Sequence, residues 1–218
     1  MTSRRTELLL TGALTAAAVI AGATHRHDRQ RFSKPIIVPS LLAGALARSR
    51  RRRSALVVAG AGATVGDWFM LRYDERCLVA GQTDAHRFLR LGAAGFTVQQ
   101  IGYSALLAGA GARVRPRVAV PVLAVLLGLA AVDSAGQDGP DPVLVGYGLT
   151  LAAMVSLGID AGGPARAGAA LFFASDSAIM LSGRLSPGSA GRRAGEAFVL
   201  LTYAAAQALL LGALAGTE

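Results

Sequence analysis

The sequence predicts an all-α protein, a polytopic membrane helical bundle of about eight transmembrane helices that forms a single domain over residues 1–218. Hydrophobic residues make up 53% of the chain and charged residues only 16%, whereas soluble domains carry about 25% charged residues. The polar residues cluster in short stretches between apolar runs, as in membrane proteins. These runs lack the alternation of barrel strands, so helices are the spanning structure that fits them.

The first apolar run covers residues 7–24 and follows Arg4 and Arg5. It ends near Ala21-Gly22-Ala23, so it has the features of a signal peptide, including a twin-arginine one. Many further apolar runs follow it along the chain. We therefore expect an uncleaved first span, with a cleaved signal peptide as the alternative.

Seven further spans follow the first, separated by short polar connections. A spanning helix needs about 17–25 apolar residues, and the second, fifth and sixth runs are short by this measure. Proline positions agree with the predicted helix starts, since Pro35 suits the first turn of the second span and Pro116 lies at the start of the fifth. The predicted spans cover residues 34–47, 54–72, 88–110, 117–132, 142–158, 166–183 and 195–215.

A weak internal repeat relates the two halves of the chain. The sequence "KPIIVP" at Lys34 corresponds to "DPVLVG" at Asp141, and "GDWFML" at Gly66 corresponds to "SDSAIML" at Ser175. Four spans separate the members of each pair, so the halves would form two parallel four-helix repeats. Repeats of this kind often place a working site at their interface. Chance similarity between apolar helices is the alternative.

Basic residues give the chain a net charge of +9, and all but one of the 22 are arginines. They flank apolar runs, as in "RSRRRR", which is typical of membrane-edge anchoring, and no nucleic-acid motif accompanies them. Nucleic acid is therefore not an expected partner. The single lysine, Lys34, reflects either a codon preference for arginine or a requirement for an amine at that position.

Cysteine and histidine usage argues against a metal centre. The single cysteine, Cys77, excludes a disulfide framework and a multi-cysteine metal site. The histidines at positions 25, 27 and 86 are all predicted to lie in loops, where "HRHD" fits a solvated basic loop better than a metal site. We expect neither a metal nor another cofactor.

Two carboxylates, Asp67 and Asp176, lie inside predicted spans. An ionised carboxylate at the centre of a spanning helix costs about 2.5–3.5 kcal/mol on insertion scales, so such a residue is by default a candidate for function. Two aspartates at similar depth also invite pairing, in which one proton is shared. The alternative is that each hydrogen-bonds to neighbouring helices as structural glue.

Other polar side chains in the spans predict a polar pocket inside the bundle. Gln99 and Gln100 precede Tyr103 by about one helical turn, and Tyr203 and Gln207 are spaced four apart. Polar side chains in lipid usually face the bundle interior. Scattered interhelical hydrogen bonding is the alternative to a pocket. The remaining candidates are Tyr147, Ser175 and Ser177.

Six ordered motifs between Lys34 and the C-terminus resemble those of the lysoplasmalogenase-like YhhN family. They are "SKPIIVPSLL", "GATVGDWFML", "GFTVQQIGY", "DPVLVGYGLTLAAM", "GAALFFASDSAIML" and "FVLLTYAAAQALL". The resemblance implies an eight-helix membrane enzyme that cleaves the vinyl-ether bond of lysoplasmalogens. The products would be a fatty aldehyde and glycerophosphoethanolamine or glycerophosphocholine.

The resemblance also implies residue assignments. Asp67 and Asp176 match the acidic pair of the family as catalytic residues, and its polar positions match Lys34, Tyr103, Tyr147, Tyr203 and Gln207. Many members have histidine where this chain has Gln100, three residues before the tyrosine of the fourth span. Glutamine cannot shuttle protons near neutral pH as histidine can. We keep Gln100 and Ser175 as substrate-binding or supporting residues.

The chemistry of vinyl-ether hydrolysis fits these residues. The reaction needs a protonated acid beside an apolar chain and a negative charge to stabilise the resulting cation, which two aspartates can supply without a metal. The expected partners are a lysophospholipid substrate and membrane lipids, and the sequence does not set the oligomeric state. A transporter or lipid-binding bundle that uses the same aspartates as a proton relay or ligand site is the alternative.

Charge at the ends of the spans bears on orientation. Asp133, Asp138 and Asp141 lie in the predicted connection between the fifth and sixth spans, whereas "RSRRRR" lies between the second and third. Basic residues favour the cytoplasmic side. We expect a multi-pass protein of the plasma or inner membrane with both termini in the cytoplasm.

Overall fold

The apolar runs fold into helices in the computed structural model, which describes residues 27–49, 51–79, 82–133, 141–182, 184–186 and 189–216. Within these ranges the chain has seven helices and no strand. The predicted first span, residues 7–24, lies outside the described residues. The helices are α1 (His27–Arg48), α2 (Arg53–Val79), α3 (Gln82–Gly109), α4 (Pro116–Asp133), α5 (Pro142–Ala161), α6 (Gly163–Ser182) and α7 (Ala190–Ala215).

Three of the described helices are long and apolar enough to cross a membrane. They are Arg53–Cys77 within α2, all of α5 and all of α7. Ile36–Arg48 and Pro116–Ala131 are apolar but shorter. The fold is therefore an all-helical bundle with the character of a membrane protein, in which length and composition identify three spans rather than eight.

Several helices extend beyond the predicted apolar runs. The α2 helix continues to Val79, α3 begins at Gln82, and α7 begins at Ala190. Charged residues lengthen these helices, because pairs three or four positions apart face each other on the helix surface. Arg72 and Glu75 pair at 3.3 Å in α2, and Arg192 and Glu196 pair at 2.9 Å in α7.

Glycines bring the backbones of α2 and α3 into direct contact. A Cβ atom placed on Gly95 would lie 2.7 Å from the backbone nitrogen of Gly66 and 2.9 Å from the carbonyl oxygen of Gly62. A Cβ atom on Gly66 would lie 2.9 Å from the ring of Phe96. Small residues allow such close approach between helices in lipid. This contact fixes the position of Asp67, the residue after Gly66.

The α2 helix has an apolar outer face and a buried inner face. Val58 and Trp68 are about half exposed, at 55% and 46%, whereas Asp67 is 1% exposed. The guanidinium of Arg72 stacks on the Trp68 ring at 5.0 Å from its centre. Exposed apolar side chains of this kind suit contact with lipid, so α2 presents its carboxylate to the interior of the bundle.

The most extensive helix contacts are those of α2 with α3 and of α6 with α7. Between these pairs lies α5, which packs against both α3 and α6. The α1 helix covers α2 and α7, and α4 lies against α5. The two closest pairs contain the segments that the predicted internal repeat would relate to each other. The core between them includes Tyr103, Leu151, Met154, Phe172 and Leu210.

Polar contacts fasten the connections between helices. Arg53 of the basic stretch donates from Nε to the carbonyl of Ser49 at 3.0 Å, which satisfies the end of α1. The connection from α3 to α4 is held by Asp160 near the end of α5, which accepts from the Arg113 backbone at 2.8 Å and pairs with Arg115 at 2.6 Å. The basic residues therefore act partly as helix caps.

Candidate functional site

The Asp176 carboxylate in α6 accepts a hydrogen bond from the Tyr147 hydroxyl in α5 through Oδ2. Both side chains are only half-buried, so the pair is accessible from outside the core. Because α5 and α6 are joined by a tight connection at Gly162 and Gly163, they run antiparallel. The pair thus lies toward the end of the bundle where α5 begins and α6 ends.

Asp67 in α2 forms the second carboxylate–tyrosine pair. Its Oδ2 atom accepts a hydrogen bond from the Tyr203 hydroxyl at 2.9 Å. The Tyr203 ring packs edge-on against Phe96 of α3 at 6.0 Å and against Phe172 of α6 at 5.8 Å between ring centres. Asp67 and Tyr203 are both buried. Side chains from four helices thus meet around the Tyr203 ring, and Asp67 is buried, in contrast to Asp176.

The two pairs do not follow the internal repeat. Asp67 in the third predicted span pairs with the eighth, and Asp176 in the seventh pairs with the sixth. A strict repeat would pair Asp176 with a residue of the fourth predicted span. Their different surroundings, one enclosed and one half-exposed, therefore suit different tasks.

A buried cluster of amides and a tyrosine lies next to the enclosed pair. Gln207 in α7 accepts at Oε1 from the Gln99 amide at 2.8 Å and from the Tyr103 hydroxyl at 2.8 Å. All three side chains are fully buried. The predicted trio of Gln99, Gln100 and Tyr103 thus divides, because Gln100 faces α5 instead.

Gln100 links the buried cluster to the half-exposed pair. Its Oε1 atom accepts from the Thr150 hydroxyl at 2.5 Å. Its amide nitrogen has no hydrogen-bond partner among the described residues, whereas Thr150 also donates to the Tyr147 carbonyl at 2.9 Å. Thr150 was not among the site residues predicted from the sequence. Its signal was a hydroxyl three residues after Tyr147 in an otherwise apolar span.

Four buried polar atoms have no hydrogen-bond partner among the described residues. Two belong to the amide cluster, namely Gln99 Oε1 and Gln207 Nε2, and the other two are Gln100 Nε2 in α3 and Ser177 Oγ in α6. An unpaired buried polar atom costs about 1–3 kcal/mol, so each of these calls for an explanation. Together they offer donors and acceptors to a polar ligand or to water.

The polar side chains form a column that runs inward from one end of the bundle. Tyr147 lies five residues after Pro142, or about 8 Å along α5 by the helical rise. Thr150 and Gln100 lie one turn deeper, and Gln99 follows Gln100 directly in α3. The column then continues to Gln207, whose neighbour on the same face of α7 is Tyr203. From there it turns back toward the outer end and finishes at Asp67, because Gly66 packs against Gly95, one turn outward of Gln99 in α3.

Asp141 lies at the outer end of this column and caps α5. Its carboxylate accepts from the Val143 backbone at 2.8 Å, lies 2.9 Å from His86 Nε2 and pairs with Arg90 at 3.3 Å. Burial alone would raise the pKa of Asp141, but the hydrogen bonds from His86 and Val143 and the charge of Arg90 together lower it below its ordinary value.

The expected loop position of His86 is wrong, because the charged residues that flank the apolar run continue α3 outward to Gln82.

The remaining candidates fall into three groups. Ser175 is buried and donates to the Val199 carbonyl at 3.2 Å, so its hydroxyl joins α6 to α7. The Lys34 side chain and His25 lie outside the part that the structure describes, whereas His27 is the first residue of α1 and not part of a loop. Among the described side chains, no three of histidine, cysteine, aspartate and glutamate come together in a group that could hold a metal ion.

A model of the YhhN family matches residues 29–214, which is most of the chain. Neither a curated protein nor a solved structure matches. The matched range contains every residue of the polar column.

Proposed function

This chain belongs to the YhhN family, and on that premise we propose that it is a membrane hydrolase of the lysoplasmalogenase type. It cleaves the vinyl-ether bond of 1-alkenyl-glycerophosphoethanolamine or -choline to a fatty aldehyde and a glycerophospho-alcohol. The observation that supports this best is the partly buried side chain of Asp176, hydrogen-bonded to Tyr147 at the outer part of a polar column.

The proposal includes the membrane arrangement. The described helices and the run at residues 7–24 together make eight spans in two parallel repeats, with an uncleaved first span. The protein lies in the plasma or inner membrane with both termini in the cytoplasm. Lipid is the environment from which a lysophospholipid reaches a half-exposed pair.

Asp176 is the proton donor in this scheme. Its Oδ2 atom accepts from Tyr147, so Oδ1 is the oxygen that holds the transferable proton. Because the side chain is only half-buried, an alkenyl chain can approach it. Asp67 is buried and bonded to Tyr203, so it acts at a distance as a negative charge and does not touch substrate.

The reaction proceeds by protonation of the alkene. Asp176 gives its proton to the alkene carbon that is not bonded to oxygen, which leaves an oxocarbenium ion and an Asp176 carboxylate. Water adds to the carbon of the cation and returns a proton to Asp176. The resulting hemiacetal then releases the glycerol oxygen as an alcohol and leaves an aldehyde. Division of labour between two carboxylates follows the pattern of glycoside hydrolysis.

The unpaired amide nitrogen of Gln100 suits the water. It is buried and without a partner among the described residues. A water molecule needs two to four polar partners in a buried site, and Gln100, Tyr147 and Asp176 would supply them in this scheme. Gln100 therefore supports the reaction by binding water or substrate, without exchanging a proton.

Aldehyde release by the purified protein tests this function. The wild type in lipid nanodiscs is incubated with a 1-alkenyl-lysophosphoethanolamine, and with the saturated 1-alkyl analogue, which has no vinyl ether and should give no aldehyde. Asp176→Asn should abolish the reaction. Asp160→Asn is the matched control, because Asp160 pairs with Arg115 at the far end of α5. Normal turnover in Asp176→Asn would rule out the proton-donor assignment.

A proton relay or ligand site in a transporter is the second candidate. The observation that favours it is the column itself, since its hydroxyls, amides and carboxylates connect Asp176 toward Asp67. Such a protein would move protons or a solute across sealed vesicles and release no aldehyde. Vesicle flux that depends on Asp67 and Asp176, without product formation, would favour the relay over the hydrolase.

A further inference from the structure

A shallow pocket of about 410 Å³ lies at the outer end of the polar column. One wall is the first part of α3 and the other is the start of α5. Its lining combines three side chains that carry or can carry positive charge with three apolar ones. They are His86, Arg87, Arg90, Leu91, Ala94 and Val143.

The basic side chains in this pocket are held in different ways. Asp141 fixes His86 at 2.9 Å and Arg90 at 3.3 Å. Arg87 is exposed and makes no hydrogen bond or ion pair with another described residue. With two guanidinium groups and a histidine against one carboxylate, the pocket keeps a net positive charge. It therefore suits an anion that approaches from outside.

The pocket also has a polarity gradient along α3. Arg87, Arg90, Leu91 and Ala94 are spaced as neighbours on one helical face, so the face changes from cationic to apolar toward the bundle centre. An amphiphile with an anionic head and an apolar tail matches this order. Arginine is well suited to a phosphate because its planar guanidinium donates two parallel hydrogen bonds.

The distance from the pocket to the Tyr147–Asp176 pair matches the distance from the phosphate to the vinyl ether in a lysoplasmalogen. Val143 in the pocket wall and Tyr147 are four residues apart in α5, which is one turn or about 6 Å. In a lysoplasmalogen, only the glycerol backbone separates the phosphate from the vinyl ether, and this spacer is comparable in length. A phosphate in the pocket would thus place the vinyl ether near Tyr147 and Asp176.

We propose that the pocket formed by His86, Arg87 and Arg90 binds the phosphate of the lysophospholipid headgroup. This inference rests on the proposed function for the identity of the lipid, but binding of the phosphate does not depend on cleavage. Arg87 provides the direct contact, and Asp141 positions Arg90 and His86 around it.

Binding to a lipid that cannot react tests the site separately from the reaction. The ligand is 1-alkyl-lysophosphoethanolamine, compared with the 1-alkylglycerol that lacks the phosphate and with inorganic phosphate alone. Loss of a charge-assisted contact weakens binding by about ten-fold or more. Arg87→Gln should therefore weaken binding of the phospholipid by this factor, while Arg87→Lys retains much of it and alkylglycerol binding is unchanged.

The matched control is Arg117→Gln, an exposed arginine at the start of α4 and thus at the opposite end of the bundle. Equal lipid affinity of the Arg87→Gln and Arg117→Gln proteins would overturn the proposal. Arg87-dependent binding of inorganic phosphate without binding of the lipid would overturn the lipid assignment.

Kinetics distinguish failure of this inference from failure of the proposed function. If both hold, Arg87→Gln raises KM for the alkenyl lipid about ten-fold and leaves kcat unchanged, since only the headgroup contact is lost. Aldehyde release with normal KM in Arg87→Gln would refute the pocket and keep the hydrolase. Arg87-dependent binding by a wild type that releases no aldehyde would support the pocket and refute the hydrolase.

Discussion

Tyr203 of α7 donates a hydrogen bond from its hydroxyl to the Asp67 carboxylate of α2 at 2.9 Å, across 136 positions of sequence. The bond satisfies a carboxylate that is 1% exposed. It therefore couples the stability of the bundle to the group that we propose supplies the negative charge.

Tyr203→Phe should destabilise the protein, because it keeps the ring contacts with Phe96 and Phe172 but removes the donor to Asp67. Loss of a hydrogen bond to a buried charged group costs about 1.5–3 kcal/mol. Thermal unfolding in detergent measures the loss. Tyr73→Phe, near the outer end of α2, is the comparison, and an equal effect of the two changes would contradict the importance of this bond.

Asp67→Asn and Asp176→Asn should each remove nearly all aldehyde release, and the double variant should lose little more. Residues that act as a unit in catalysis are not additive. Both variants should still fold and insert, since removal of a charge from a span eases insertion. Rates of the four proteins in nanodiscs supply the comparison, and losses that multiply would show that the carboxylates act independently.

Activity should follow a bell-shaped curve with pH, because one carboxylate must be protonated while the other is ionised. The acid limb reports loss of the ionised group and the alkaline limb reports loss of the proton donor, and both belong to the coupled pair. Measurement of kcat/KM across pH provides the test. A rate that rises or falls in one direction only would contradict the two-carboxylate scheme.

Gln100→His should change the pH dependence of aldehyde release. A histidine there would stand near Thr150 and Tyr147, and its ordinary pKa of about 6.5 adds a group that titrates near neutral pH. We expect a new pH dependence of aldehyde release between about pH 6 and 7, still abolished by Asp176→Asn. An unchanged pH profile of aldehyde release would show that position 100 takes no part in proton transfer, even with a side chain that can titrate.

Asp141 should contribute stability that depends on pH in a defined direction. Its folded pKa is lowered from the ordinary 3.8, so its contribution is fully present above that value and is lost as pH falls through the lower folded pKa. Asp141→Asn keeps a residue that caps helices well but removes the charge. The difference in Tm between wild type and this variant should stay constant from about pH 5 to 7 and shrink in stronger acid. A difference that grows in acid would contradict this sign.

Gly95→Ala should destabilise the bundle, because the added Cβ would meet the backbones of Gly62 and Gly66 at 2.9 and 2.7 Å. Overpacking of this kind costs about 1–3 kcal/mol. Gly128→Ala in α4 is the matched control, as its Cβ would meet nothing within 4 Å, and alanine in a helix interior gains about 0.5–1 kcal/mol. Equal unfolding temperatures for the two variants would refute close α2–α3 packing.

The sequence predicted the helices well because apolar runs and their polar connections are local features. It missed the helix ends, since charged pairs such as Arg72 and Glu75 extend α2 past its apolar run. It identified both aspartates and the tyrosines as polar residues in spans. It could not assign Tyr203 to Asp67 or Tyr147 to Asp176, because those pairings depend on how distant helices pack.

The roles of Thr150 and His86 were not predicted either, because they too depend on contacts in the folded structure. Threonine is a common residue in membrane helices, and only the hydrogen bond of Thr150 to Gln100 identifies it as part of the polar column. His86 was assigned to a loop because charged residues surround it, although the same residues continue α3 and line a pocket. The separation of the Asp67 and Asp176 carboxylates and the position of the Lys34 amine stay predictions.

Because Trp68 points outward, its fluorescence can report how deep this part of α2 lies in the membrane. It is the single tryptophan of the chain, it is 46% exposed, and it directly follows the enclosed Asp67. Lipids brominated at chosen positions along their acyl chains quench a tryptophan according to its depth. The quenching profile of the unmodified protein in vesicles therefore locates the level of the Asp67 carboxylate within the bilayer, with no label and no substitution.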